Sequence, residues 1–200
     1  MADTTRDRIK EAALRQFSER GYEAVSVSDI AGELGMTKGA LYRHFENKRA
    51  ILDSIVEDLQ RKADERDAEF SVPERGQSAA DSAYRRAALT ALADYGKSAF
   101  RFWTEDEQAA PFRKLLTLEQ YRDPELGKLY QRFFVSGQMS RSANLFHRLG
   151  LPKPWKLAVD FCAPLFILLS VYDGSENKQA VAPVLDGCMD SLVNTLSKDL

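Results

Sequence analysis

The 200-residue chain carries 28 Lys and Arg against 30 Asp and Glu, a formal net charge of −2, and its 44% apolar share is that of a folded, water-soluble protein rather than a disordered one. That length holds one packed domain or a small module joined to a larger one, and the pattern below fits the second arrangement. Cys162 and Cys188, with His44 and His147, stand in neither a metal-binding nor a disulfide spacing, so no zinc site, disulfide framework or cofactor is expected.

The N-terminus opens on Asp3, Arg6, Asp7 and Arg8 with no apolar stretch and does not read as a secretory signal. From Thr5 to Arg20, Ile9, Ala13, Leu14 and Phe17 fall at helical spacing, with Asp7 and Glu11 early, Arg20 last and Gly21 as the stop. A second helix opens at Ser26-Val27-Ser28-Asp29, where Ser26 caps and Asp29 stands three residues on as a short-armed capping-box partner; Ile30, Ala31 and Leu34 form its stripe. Gly35 permits the left-handed backbone of a tight turn, and Thr37 caps a short helix to about Phe45 in which Leu41 and Phe45 share a face. Asn47 caps a longer helix from Lys48 whose apolar face is Ile51, Leu52, Ile55, Val56 and Leu59, before a polar tail from Arg61.

Ser71 to Ala80, with Pro73 and Gly76, is the clearest boundary. Beyond it helical runs recur from about Asp81 to Thr104, Asp106 to Leu118, Pro124 to Leu149, Pro154 to Tyr172 and Ala180 to Leu196, without strand-like alternation or a fixed-period repeat. The longest uncharged apolar run, between Asp160 and Asp173, is shorter than the roughly 20 residues of a membrane-crossing helix. No membrane partner is expected, and the cytoplasm is the expected compartment. The chain reads as all-α, with residues 1–47 as a small N-terminal domain, 48–70 as a connecting helix and 71–200 as a larger helical domain.

Two short helices separated by a glycine turn, with one helix before and a capped helix after, make a helix-turn-helix unit, whose second short helix enters the DNA major groove. Gly39 and Ala40 keep the start of that helix slim, while Lys38, Tyr42, Arg43 and His44 offer donors to phosphates or base edges. Between Thr37 and Arg49, Lys38, Arg43, Lys48 and Arg49 meet only Glu46, so a basic patch is compatible with the acidic total. Gly21-Tyr22, Ile30-Ala31, the run Gly35-Met36-Thr37-Lys38-Gly39-Ala40-Leu41-Tyr42-Arg43-His44-Phe45, and Lys48 together resemble the DNA-binding domain of the TetR repressor family over about residues 6–55. The family often has Thr where Val25 stands and Ser or Thr where Asn47 stands; Asn still caps a helix, so only minor phosphate contacts are affected.

The resemblance implies that Ser26, Ser28, Thr37, Tyr42 and Lys48 hold phosphates of double-stranded DNA, and that Lys38, Gly39, Ala40, Arg43 and His44 face bases or the groove wall. Each has a plainer reading beside it: Tyr42 half-packed on the bundle, Lys48 a solvated first-turn residue, His44 structural. Phe17, Ile30, Leu41 and Phe45 are read as core.

The resemblance also implies a larger domain that dimerises and receives a small molecule. The last two helices carry apolar faces, Leu157, Phe161, Leu165, Leu168 and Leu169 on one and Val181, Val184, Leu185, Cys188, Leu192 and Val193 on the other, so a homodimer through these helices is expected; packing within the monomer is the alternative. Aromatic residues crowd the middle helices. Most are assigned to packing, and Phe100, Trp103, Phe112, Leu116, Tyr121, Tyr130 and Phe134 to an effector cavity, with Arg101, Arg113 and Glu119 as further polar candidates. Ligand binding is expected to shift the helix that begins at Lys48 and so change the spacing of two recognition helices on a palindromic operator. An enzyme is not expected, since there is no paired His, no Gly-rich phosphate loop after a strand and no nucleophile with an evident base. A chromosome-organising protein using the same DNA-binding module is the remaining rival.

Overall fold

A computed structural model of the chain describes residues 4–69 and 82–198, and all regular structure among them is helical. Ten α-helices follow one another: α1 Thr5–Arg20, α2 Val27–Glu33, α3 Lys38–Tyr42, α4 Lys48–Glu69, α5 Ser82–Glu105, α6 Ala109–Glu119, α7 Pro124–Phe134, α8 Ser136–Arg148, α9 Pro154–Gly174 and α10 Val181–Lys198. They form two compact units. The first comprises the described residues up to Glu65 with Asp106–Tyr130; the second comprises Arg66–Glu105 and the described residues from Gln131 onward. The boundary expected at Ser71–Ala80 lies outside the described residues, as does Phe70 at the end of the expected connecting helix.

Local chemistry sets the helix ends of the first unit. Thr4 and Asp7 close a capping box on α1, the Asp7 amide donating to the Thr4 hydroxyl at 3.1 Å. Ser26 and Asp29 close the expected one on α2, the Ser26 amide donating to the Asp29 carboxylate at 2.8 Å. Thr37 Oγ1 accepts the Ala40 amide and Asn47 Oδ1 the Ala50 amide, as their sequence positions predict. Gly21, at φ +87°, ends α1 with its amide on Phe17 O. Ile9, Phe17, Ile30, Leu41, Ile51 and Leu52 are wholly buried, and α1 packs on both α2 and α6.

In the second unit α9 packs chiefly on α8, and α10 on α5 and α9. Phe100, Phe146, Phe161, Leu185 and Met189 fill the space between them. Gly96 leaves the notch that this packing needs, since a Cβ there would stand 3.0 Å from Met189 Sδ and 3.1 Å from the Phe161 ring. The run read as one helix from Pro124 to Leu149 is two. Val135 leaves helical geometry at φ −118° and ψ −89°, and the Ser136 hydroxyl donates to Gln131 O at 3.1 Å. Gly137 then lies so close to Arg132 O that a Cβ would come within 2.1 Å of it. Apolar periodicity runs through this break because both halves bury the same kind of side chain, and the break rests on Ser136-Gly137.

Filling the Gly96 notch tests the packing. Gly96→Val is expected to destabilise the protein by about 1–3 kcal/mol in denaturant titration, the usual cost of overpacking; an unchanged midpoint would mean that the three helices separate readily.

Candidate functional site

α3 is only five residues long, and its neighbours hold it in place. Leu41 anchors it at 0% exposure. Gly35, at φ +64°, turns the chain between α2 and α3, and the Met36 amide returns to Ala31 O at 2.9 Å. Gln16 of α1 donates to Asp29 O, and Arg15 and Glu33 pair across α1 and α2. Past α3, Arg6 Nη1 donates to His44 O at 2.8 Å while its guanidinium lies 4.1 Å from the centre of the Phe45 ring. Sequence reasoning missed Arg6 and Gln16, because polar residues on an amphipathic helix carry no sign of a partner 13 or 38 residues away.

Of the ten residues expected to touch DNA, Ser26, Ser28, Thr37, Lys38, Gly39, Tyr42 and Arg43 are exposed, and Ala40, His44 and Lys48 are half-buried. All ten lie between the start of α2 and the start of α4, in the first unit. Among the described residues neither Lys38 nor Arg43 has an ion-pair partner, and Lys38 Nζ stands 5.7 Å from the Tyr42 ring centre. Arg49, by contrast, is paired with Asp53 at 2.7 Å. The Ser26 hydroxyl donates to Asp29 within the capping box, and this, first among the causes, lowers the Asp29 carboxyl below its ordinary value. Lys48 Nζ donates to Tyr22 O at 2.8 Å and lies 4.2 Å over the Tyr22 ring, so it fastens the turn after α1 to the first residue of α4. Tyr22 in turn donates its amide to the Glu119 carboxylate of α6 at 3.1 Å, a group 2% exposed. Glu119, named above as a polar candidate for the cavity, therefore braces the N-terminal turn.

The second unit holds a cavity of about 400 Å³, its open mouth included. Phe100 and Trp103 of α5, Phe133 and Phe134 at the end of α7, and Leu165, Phe166 and Leu169 of α9 make its apolar wall; Gln138 and Cys162 are its polar members. Burial raises the Cys162 thiol above its ordinary pKa, which disfavours the nucleophilic thiolate. Three of the expected ligand residues, Phe100, Trp103 and Phe134, meet here. Phe112, Leu116, Tyr121 and Tyr130 do not join them: all four belong to the first unit, where Phe112 and Leu116 are wholly buried and Tyr121 is 89% exposed. Arg101 pairs with Asp186 at 2.6 Å, and Arg113 is buried on α6 in the first unit. Gln138, on the wall at 9% exposure, had no sequence signal, since it stands among polar neighbours at a helix start.

Residues 9–55 match the family model described as bacterial regulatory proteins, tetR family. The regulator TtgR of Pseudomonas putida is 40% identical over 63 residues, 32% of this chain and 30% of that protein. The tetracycline repressor protein class D of Escherichia coli is 37% identical over 79 residues, 39% of this chain and 34% of that protein. The chain thus spans about a third of the length of these relatives. In fold, it is similar to the solved regulator FadR from Bacillus subtilis in complex with stearoyl-CoA, with a TM-score of 0.61 and 17% identity over 93% of this chain and 96% of that one.

The same N-terminal geometry has a pH signature. Lys10, which also pairs with Asp58 of α4, hydrogen-bonds the Asp7 carboxylate and, with Thr4, holds its pKa down to about 2. Because the folded pKa is depressed, the stabilisation from Asp7 is full above the ordinary carboxylate range of about 3.9 and is lost as pH falls towards 2. A carbon-13 NMR titration is expected to place the Asp7 midpoint near 2, and Lys10→Met should raise it; an unshifted midpoint would remove the Lys10 link.

Proposed function

We propose, for a chain that belongs to the TetR family of bacterial regulatory proteins, that it is a dimeric, sequence-specific DNA-binding transcriptional regulator, a repressor that leaves a palindromic operator when a small molecule occupies its second unit. The observation that carries this reading is the braced, exposed α3, with Lys38 and Arg43 as cations that have no ion pair among the described residues. Placed in the major groove, α3 brings Lys38, Gly39, Ala40, Arg43 and His44 to base edges and the groove wall, while Ser26, Ser28, Thr37, Tyr42 and Lys48 hold phosphates on either side. Lys48 then has two roles, attracting the backbone and bonding the turn at Tyr22. The protein acts in the cytoplasm and catalyses no reaction. We assign DNA binding to residues 1–47, coupling to 48–70, and effector binding and dimerisation to the part of 71–200 that lies in the second unit, since Asp106–Tyr130 belongs to the first.

The dimer is assigned to α9 and α10, on a different face of α9 from the one named at first. Leu157, Leu165, Leu168 and Leu169 pack with Phe161 against the core of their own unit, as do Val181, Leu185, Cys188, Leu192 and Val193 of α10. Trp155, Val159, Phe166, Ile167 and Val171 of α9 stay outward, with Val184 of α10. Exposed large side chains in such a row support a self-complementary contact. By length and composition alone the 21-residue α9 would also span a membrane, but one face of it is taken up by α8 and α10, and Lys156, Asp160 and Asp173 interrupt it with charge. α4 contributes residues to both units, which makes it the route by which an occupied second unit changes the placement of α3.

Two measurements test the proposal. Selection of bound duplexes from a random pool at near-physiological salt is expected to return a two-fold symmetric motif with half-sites about 34–36 Å, or a multiple, apart. Arg43→Ala should relax one position in each half-site, whereas Lys48→Ala should weaken all sites alike; enrichment of many dispersed, unrelated sites would favour a chromosome organiser. In sedimentation velocity the wild type should run as a dimer at micromolar concentration and Ile167→Asp as a monomer. A wild-type monomer would defeat the dimeric reading.

A further inference from the structure

Arg66, near the C-terminal end of α4 and within the second unit, lies with its guanidinium 5.1 Å from the Tyr95 ring centre and 5.0 Å from that of Phe102. Its Nη2 donates to the Tyr95 hydroxyl at 3.4 Å, and that hydroxyl donates to Gln138 Oε1 at 3.0 Å. Gln138 is a wall residue of the cavity, so three side chains join the cavity to α4 without leaving the unit. Among the described residues no ionised side chain lines that cavity; Gln138 is the one wall residue with both a strong donor and a strong acceptor. An anionic ligand would give up its hydration there with no cation in the wall to replace it. The rings offer the opposite, since Trp103 meets Phe134 at 4.7 Å and 73° and Phe133 at 5.8 Å and 78°, edge-to-face arrangements that a further aromatic ring extends.

We propose that the occupant of this cavity is an uncharged aromatic molecule with one hydrogen-bonding group, and that Gln138 is the residue that recognises it, accepting from the ligand in place of Tyr95. The proposal rests on the reading of this unit as the effector-binding one. Once the ligand takes Gln138 Oε1, the Tyr95 hydroxyl loses the acceptor that orients it, and Arg66 loses a fixed partner at the end of α4. Gln138 thus sets ligand choice, and Tyr95 carries occupancy to α4.

The probes are 4-phenylphenol and biphenyl-4-carboxylate, alike in shape and different in charge, titrated into the full chain by calorimetry. 4-Phenylphenol is expected to bind at least tenfold more tightly than the carboxylate. Gln138→Met should weaken it about tenfold, the scale of one lost hydrogen bond in an apolar site. Tyr95→Phe, which removes the competing donor, should leave 4-phenylphenol binding as tight or tighter, a result that damage to the fold would not give. Equal or tighter binding of the carboxylate, no binding of either probe, or indifference to Gln138→Met would overturn the proposal. Ligand binding as expected in a protein that selects no DNA sequence would leave the cavity assignment standing and remove the regulator reading; selected DNA with no probe binding would do the reverse.

Discussion

Buried on α6, the Glu119 carboxylate accepts the Tyr22 amide, and the Tyr22 carbonyl accepts a hydrogen bond from the Lys48 ammonium. One peptide segment is thus held from both sides, by a helix more than ninety residues on and by the first residue of α4. A charge in so enclosed a place is tolerable only when its oxygens are bonded, and the Tyr22 amide supplies one such bond. The contact also fixes the residue at position 21. Glu119 Oε1 would stand 2.7 Å from a Cβ there, and φ of +87° already favours glycine. Two independent constraints converge on Gly21, and the direction in which α2 leaves α1 follows from them.

α3 inherits its position from this joint. Five residues are far too few to hold a helix in water, because nucleation costs more than one turn of hydrogen bonds returns. Its geometry is therefore imposed: Leu41 is sunk in the core, Thr37 closes one end, and Arg6 holds the carbonyl of His44 just past the other. Its outward side chains take little part in holding it, and Lys38 and Arg43 stand exposed with no ion pair among the described residues. Lys48, the first residue of α4, differs in being bonded to the turn at Tyr22.

The part of the first unit up to Glu65 was largely legible in the sequence because it is written in short-range chemistry, whereas the place of Asp106–Tyr130 in that unit was not. Ser26 with Asp29, Gly35, Thr37 and Asn47 each act over three or four residues, and the structure places every one of those caps and turns where the spacing predicts. What was illegible lies in long-range assignments. Aromatic spacing marks Phe112 and Phe134 alike as buried, yet says nothing of which unit each one fills. The face of α9 that meets its own core and the face that does not are both apolar, so hydrophobicity gave no basis for choosing between them. The break at Val135 was hidden for a related reason: Ser and Gly are tolerated inside helices, and only the close approach of Gly137 to Arg132 O gives them a breaking role.

The outward residues of α9 have a geometric consequence for assembly. Among them Trp155, Val159, Ile167 and Val171 are spaced by multiples of four, with Phe166 beside the row. A row with that spacing does not run along the helix; it slants across it by about 26°, whereas alternating threes and fours keep a seam nearly parallel to the axis. Two copies of α9 that interlocked such rows would cross steeply, near −50°, and would touch over a short central stretch rather than along their length.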